Sequence, residues 1–311
     1  MAKKTIDSLT ARAMQRYVIL ALLYIVLIFV LPANSHAMQT YHLSGFEYRV
    51  LYLAVAVPSL VIWFVAFYGY ARLQEYARVI KRAEEAPAFS QLARGCMWLA
   101  WSLPVSVLTA YVLDAIADQW SGFHAASVIL ANYTTLALPL IGFSIVGMAS
   151  KELIGRMNTR LSPMNARGIM LFFVVGGVLY CYLTFRHLNP GSLGSAHNPY
   201  FLPIWLMLLT VIIPYLYAWF VGLLAAYEIT TYSQQVRGVL YKQALRLLIG
   251  GLVAVIAGSI LIQYVSSVDP SVGHFVLDYR LLLIVLFRIV TGIGFVLIAV
   301  GANRLKRIEE V

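Results

Sequence analysis

The stretch PSLVIWFV, Pro58–Val65, is answered later in the chain by PYLYAWFV, Pro214–Val221. The proline, the leucine two residues on and the Trp-Phe-Val trio recur at one spacing, 156 residues apart. The same offset brings LYIVLIF (Leu23–Phe29) onto LYCYLTF (Leu179–Phe185), and Leu53, Val55 and Tyr76 onto Leu209, Val211 and Tyr232. An offset of 153 aligns SVLTAYV (Ser106–Val112) with SILIQYV (Ser259–Val265), and VGMASKEL (Val146–Leu153) resembles VGANRL (Val300–Leu305) more loosely. Leucine and valine matches carry little in so restricted an alphabet. Tryptophan and proline are scarce, so their coincidence carries more.

Hydrophobic residues make up 61% of the 311-residue chain and charged residues 12%. Soluble domains are about half apolar and a quarter charged, and no single core could hide this much apolar surface. The apolar runs have the length of about 20 residues that a helix needs to cross a bilayer. Eight are expected: Arg16–Leu31, Arg49–Arg72, Arg94–Ile116, Ala125–Met148, Ala166–Phe185, Pro199–Glu228, Arg246–Ser266 and Tyr279–Ala302. They are too long and too evenly apolar for barrel strands, which alternate over about ten residues. The expected fold class is therefore all-α, a polytopic transmembrane helical bundle. The repeat divides it into two four-helix halves, 1–155 (spans one to four) and 156–311 (spans five to eight), joined within KELIGRMNTRLSPMNAR, Lys151–Arg167. With an even number of spans, both halves enter the membrane the same way and form parallel repeats.

Lysine and arginine gather in alternate connections: Lys3, Lys4, Arg12 and Arg16; Arg72 to Arg94; Lys151 to Arg167; Arg237 to Arg246; and Arg304 to Arg307. The other connections hold Arg49, Arg186 and Arg280. This bias predicts that both termini face the cytoplasm, across the inner membrane if the chain is bacterial. The net charge of +10 is then topological and implies no nucleic-acid partner, although the basic face suits anionic lipid headgroups. Lys3-Lys4, the first apolar run and Ser35-His36-Ala37 also have the form of a cleaved signal peptide. The counterpart of that run in the second half argues that it is a retained span.

Arg288 is the one basic residue expected well inside a span. It lies nine residues beyond Tyr279, about 13 Å at the helical rise, near the middle of the bilayer. Arginine there is costly and turns inward, and no acidic residue shares its depth. Neutral groups, Asn132, Tyr133, Thr134, Gln263 or Tyr264, are the expected partners. A cation with no protein carboxylate suits an anionic ligand or lipid headgroup. Trp63 and Trp219, paired by the repeat, are the further candidate ligand-binding residues. All six histidines, His36, His42, His124, His187, His197 and His274, fall on the other side from the basic connections, with Asp114, Asp118, Asp269 and Asp278. Imidazole and carboxylate form a ligand set for a divalent transition metal, but the close His-x-x-x-His spacing of a helical zinc site is missing. Cys96 and Cys181 read as small buried hydrophobes, and Arg72–Arg94 as a continuation of the second span up to Pro87, either solvated or a contact surface for a soluble partner. The Gly250-Gly251 pair, Gly292 and Gly294 read as close-packing positions.

No phosphate-binding loop, membrane lysine for a Schiff base, or Gly-x-Ser-x-Gly elbow occurs, and no catalytic residue or cofactor is assigned. Three functions remain open. The first is a permease or lipid-binding protein for a small, possibly anionic solute. The second is a non-catalytic subunit or assembly factor of a larger membrane complex. The third is a membrane enzyme with a histidine metal site.

Overall fold

The computed structural model describes residues 2–31, 42, 44–82, 84–119, 124–154, 213–267 and 280–310. They form seven helices and, among the described residues, no strand. In chain order these are α1 (Ala2–Val30), α2 (Gly45–Val79), α3 (Ala86–Gln119), α4 (His124–Ile154), α5 (Ile213–Gln235), α6 (Val239–Ser267) and α7 (Arg280–Glu310). Five of them contain a stretch long and apolar enough to cross a membrane: Thr10–Val30, Ala56–Val79, Ala137–Ile154, Val239–Ser259 and Val285–Glu310. The chain is thus all-helical with membrane-embedded character. The expected fifth span, Ala166–Phe185, and the start of the sixth lie outside the described residues.

Each of α2 to α7 packs chiefly against the two helices beside it, in the order α2, α3, α4, α5, α6, α7 and back to α2. Six helices therefore close a ring. The first helix lies outside it against α2 and touches α3, leaving Val18, Ile19, Leu22, Leu23 and Val26 exposed. Thr10 of α1 and Lys306 of α7 both donate to the Glu75 carboxylate of α2. The start of α1 and the ends of α2 and α7 therefore share one end of the bundle. The α2–α3 and α5–α6 turns lie there too, since Tyr232 at the end of α5 bonds Glu85 beside α3. We call this the basic end.

Local chemistry sets the helix ends. Ser44 caps α2: its hydroxyl accepts from the Glu47 backbone N–H at 3.2 Å, and the Glu47 carboxylate accepts from the Ser44 N–H at 2.7 Å, a capping box. That second bond holds the Glu47 carboxyl below its ordinary range. The ionised form is the one favoured by folding, so the contribution is full above the ordinary pKa and is lost as pH falls through the lowered value. Acidification is expected to fray the start of α2. Faster hydrogen exchange at residues 45–48 would report it, and Glu47→Gln should remove the pH dependence. The α5–α6 turn is closed by Gly238, whose φ of 108° is a region open to glycine at no steric cost.

Two sequence expectations change at the α2–α3 connection. The second helix ends at Val79, and Pro87 is the second residue of α3; it begins a helix rather than stopping one, because the first turn has no use for its missing N–H. Nor is the end of α2 solvated. Leu73, Glu75 and Tyr76 are fully buried, held between α1, α7 and the head of α6.

Backbone approaches backbone at two glycine crossings. A Cβ built on Gly95 of α3 would stand 2.9 Å from the Gly142 carbonyl oxygen and 2.9 Å from the Val146 nitrogen of α4. One on Gly251 of α6 would stand 2.5 Å from the Gly294 oxygen and 2.8 Å from the Ile298 nitrogen of α7. Between α2 and α7, Gly292 meets Ile62 and Gly69 meets Ala299. Buried hydroxyls of Ser144, Ser233 and Thr291 donate back to carbonyls three or four residues earlier, which satisfies them without a partner helix. Cys96 is buried in the core; Cys181 lies outside the described residues.

Candidate functional site

The polar interior concentrates at the basic end. The Glu75 carboxylate is fully buried and accepts from Lys306 Nζ at 2.9 Å, Arg72 Nη1 at 2.9 Å and the Thr10 hydroxyl at 2.5 Å. Lys306 is itself 5% exposed, and its second carboxylate, Glu310, is 3.7 Å away. Arg72 lies over the Tyr68 ring at 5.0 Å, a cation–π contact. One acid thus ties α1, α2 and α7 together.

A second network crosses the ring. The hydroxyls of Tyr76 on α2 and Tyr241 on α6 bond one another, although α7 stands between those helices in the ring. Tyr232 of α5 donates to Glu85 at 2.5 Å, and Arg82 pairs with Glu85 at 3.0 Å. Tyr76 is fully buried and stacks edge-on against Phe89, with ring centroids 4.8 Å apart. Between α4 and α5, Ser150 donates to Glu228 at 2.5 Å. Sequence reasoning missed Glu75, Lys306, Tyr241 and Glu85, because each sits in a charged or mixed segment that reads as solvated. The available signal was Tyr76 opposite Tyr232.

The expected ligand residues are placed as follows. Arg288 is half-buried on α7 and interacts electrostatically with the Tyr24 hydroxyl of α1. It precedes Lys306 by 18 residues, about 27 Å of helix, in the half of α7 remote from the basic end. Trp63 is 2% exposed and sits in an aromatic cluster with Trp101 at 4.7 Å, Phe67 at 5.3 Å and Tyr17 at 5.8 Å. Trp219 packs half-buried against the core. Asn132 and Tyr133 lie on α4 and Gln263 on α6, with side chains outside what is described. Of the histidines, His42 is exposed with φ 52° and His124 is the first residue of α4. His36, His187, His197 and His274 lie outside the described residues. Among the described residues, no group of three His, Cys, Asp or Glu side chains is placed to hold a metal ion.

No protein-family model, curated protein or solved structure matches the chain.

Proposed function

We propose that this protein is a membrane permease for a small anionic solute, built from two parallel four-helix halves, residues 1–155 and 156–311. Exchanging α2 with α5, α3 with α6 and α4 with α7 leaves the order of the ring unchanged, which supports the duplication. The glycine crossings exchange with it: Gly95 and Gly251 are 156 residues apart, and Gly142 and Gly294 are 152 apart. These contacts favour carrying the offset of 156 through the third and seventh spans in place of 153. The bonds across the ring exchange as well: Tyr76 bonds Tyr241 and Tyr232 bonds Glu85, where Tyr76 and Tyr232 are 156 residues apart, as are Glu85 and Tyr241. Reciprocal contacts of this kind are the mark of a twofold interface.

The observation that carries the permease reading is the position of Arg288. It stands one turn before Gly292, on the stripe of α7 that meets α2 through Gly292, Ala299 and Lys306. That stripe is the junction between the halves, where repeat-built transporters hold their solutes. The basic end faces the cytoplasm in this reading, and membrane lipid is the surrounding partner. Arg288→Ala is expected to reduce anion-driven swelling of proteoliposomes in isotonic acetate or phosphate at least tenfold without changing the helical circular dichroism. Swelling at the native rate would refute the proposal.

One feature favours the second reading, a subunit of a larger membrane complex. Leu216, Phe220, Leu223 and Tyr227 form a continuous stripe along α5, each 50–69% exposed. The corresponding face of α2 is largely covered by α1, whose counterpart in the repeat, Ala166–Phe185, lies outside the described residues. Co-purification of a second membrane subunit would favour this reading.

A further inference from the structure

The α2–α7 junction holds a second group of polar side chains, far from the basic end. The two helices run in parallel, with Ile62 beside Gly292, Gly69 beside Ala299 and Glu75 beside Lys306. That register sets Ser59 of α2 level with Arg288. Ser59 lies on the stripe of Ile62 and Gly69, one helical turn before Ile62, so it faces α7. The first helix runs antiparallel to α2, with Thr10 bonded to Glu75 and Tyr17 edge-on to Phe64, ring centroids 5.2 Å apart. Continuing it brings Tyr24 to the same level, where it interacts with Arg288.

Ser59 is fully buried and Tyr24 is 5% exposed, and neither hydroxyl has a hydrogen-bond partner among the described residues. Both are rare exceptions to the rule that buried polar groups are bonded. Serine and threonine normally resolve this by bonding their own helix, as Ser144, Ser233 and Thr291 do here. No aspartate or glutamate occurs in residues 8–46, 48–74 or 279–308, so α1, α2 and α7 bring no carboxylate to this level.

We propose that Arg288, Tyr24 and Ser59 form a binding site for a small oxyanion, a carboxylate or phosphate group, at the meeting of α1, α2 and α7. Arg288 supplies the charge and a planar fork of donors suited to two oxygens, and the two hydroxyls donate to the same anion. This deepens the permease reading by naming the solute-holding groups, and it rests on that reading only for transport, not for binding. A free carboxylate or phosphate and the phosphate of an anionic lipid share the chemistry.

The test uses the full chain in phosphatidylcholine nanodiscs and follows thermal unfolding while acetate or inorganic phosphate replaces gluconate at constant ionic strength. A saturable rise in midpoint is expected. Ser59→Ala and Tyr24→Phe should each leave the midpoint without acetate or phosphate unchanged or higher, since each removes an unbonded buried hydroxyl. Each should also weaken the apparent affinity about tenfold, the loss of one charge-assisted hydrogen bond. In a parallel arm, phosphatidylglycerol in the nanodisc should raise the midpoint and blunt the phosphate response if a lipid headgroup occupies the site. The proposal is overturned if neither arm gives a saturable shift, or if both variants keep the native affinity. Saturable binding by the native chain, lost in Arg288→Ala while the flux of that variant stays at the native rate, would leave the site standing and remove the permease.

Discussion

Replacing Gly251 by valine will separate α6 from α7, and the protein will unfold in detergent titrations at a markedly lower denaturant concentration. The new Cβ would lie 2.5 Å from the Gly294 carbonyl oxygen, 2.7 Å from the Ile298 side chain and 2.8 Å from the Ile298 nitrogen. Two of these are backbone atoms that cannot rotate aside, so a helix must move. Overpacking of this kind costs about 3 kcal/mol, above that where backbone is displaced. In lipid, where helix association depends on close van der Waals contact, that separation forfeits most of the interface. The neighbouring residue provides the control. At Gly250 an added Cβ meets, among the described residues, only a Leu297 methyl, 4.0 Å away, so Gly250→Ala should leave stability unchanged or raise it by about 0.5 kcal/mol through helix propensity. Equal effects at the two positions would show that the crossing does not hold the helices together.

The second large effect is expected at Glu75. Glu75→Leu strands the Lys306 ammonium, 5% exposed, with only the more distant Glu310 carboxylate at 3.7 Å, and leaves Thr10 and Arg72 without their acceptor. Removing one member of a buried pair costs about 3–5 kcal/mol. Lys306→Met should cost less, because Arg72 at 2.9 Å and Thr10 at 2.5 Å still satisfy the carboxylate. Replacing both together puts an apolar pair where the ion pair was, an exchange that is often neutral. The double variant should therefore recover much of what Glu75→Leu alone loses. A double-mutant cycle on unfolding free energies measures this directly. Strictly additive losses would mean that Glu75 and Lys306 do not act as a pair.

The limits of sequence reading show in these same residues. Gly250-Gly251 marks a place for close approach, but adjacent residues on a helix point 100° apart, and only the placement of α7 decides which of them is the contact. Glu75 lies in RLQEYAR, a run whose composition reads as solvated; its burial depends on α1 and α7, whose contributing residues lie 65 and 231 positions away. Pro87 is compatible with ending one helix or beginning the next, and the length of the turn before it decides. Arg288 is conspicuous in sequence because a lone cation in an apolar run is costly anywhere in a bilayer. Ser59 and Tyr24 are not, because serine and tyrosine are ordinary in such helices until their surroundings are known to lack acceptors.

The sequence alone determined that the chain is helical and membrane-embedded, because apolar runs of spanning length admit almost no other backbone in lipid. It also located the apolar middle of each described helix, while the helices themselves run up to 14 residues past the expected ends, as at Ala2 against Arg16. Tertiary structure decided which helices close the ring, which glycine of a pair is the crossing, and which polar groups are buried together. Those are properties of distance between residues remote in the chain, set by how side chains of different helices interlock, and no local pattern encodes them.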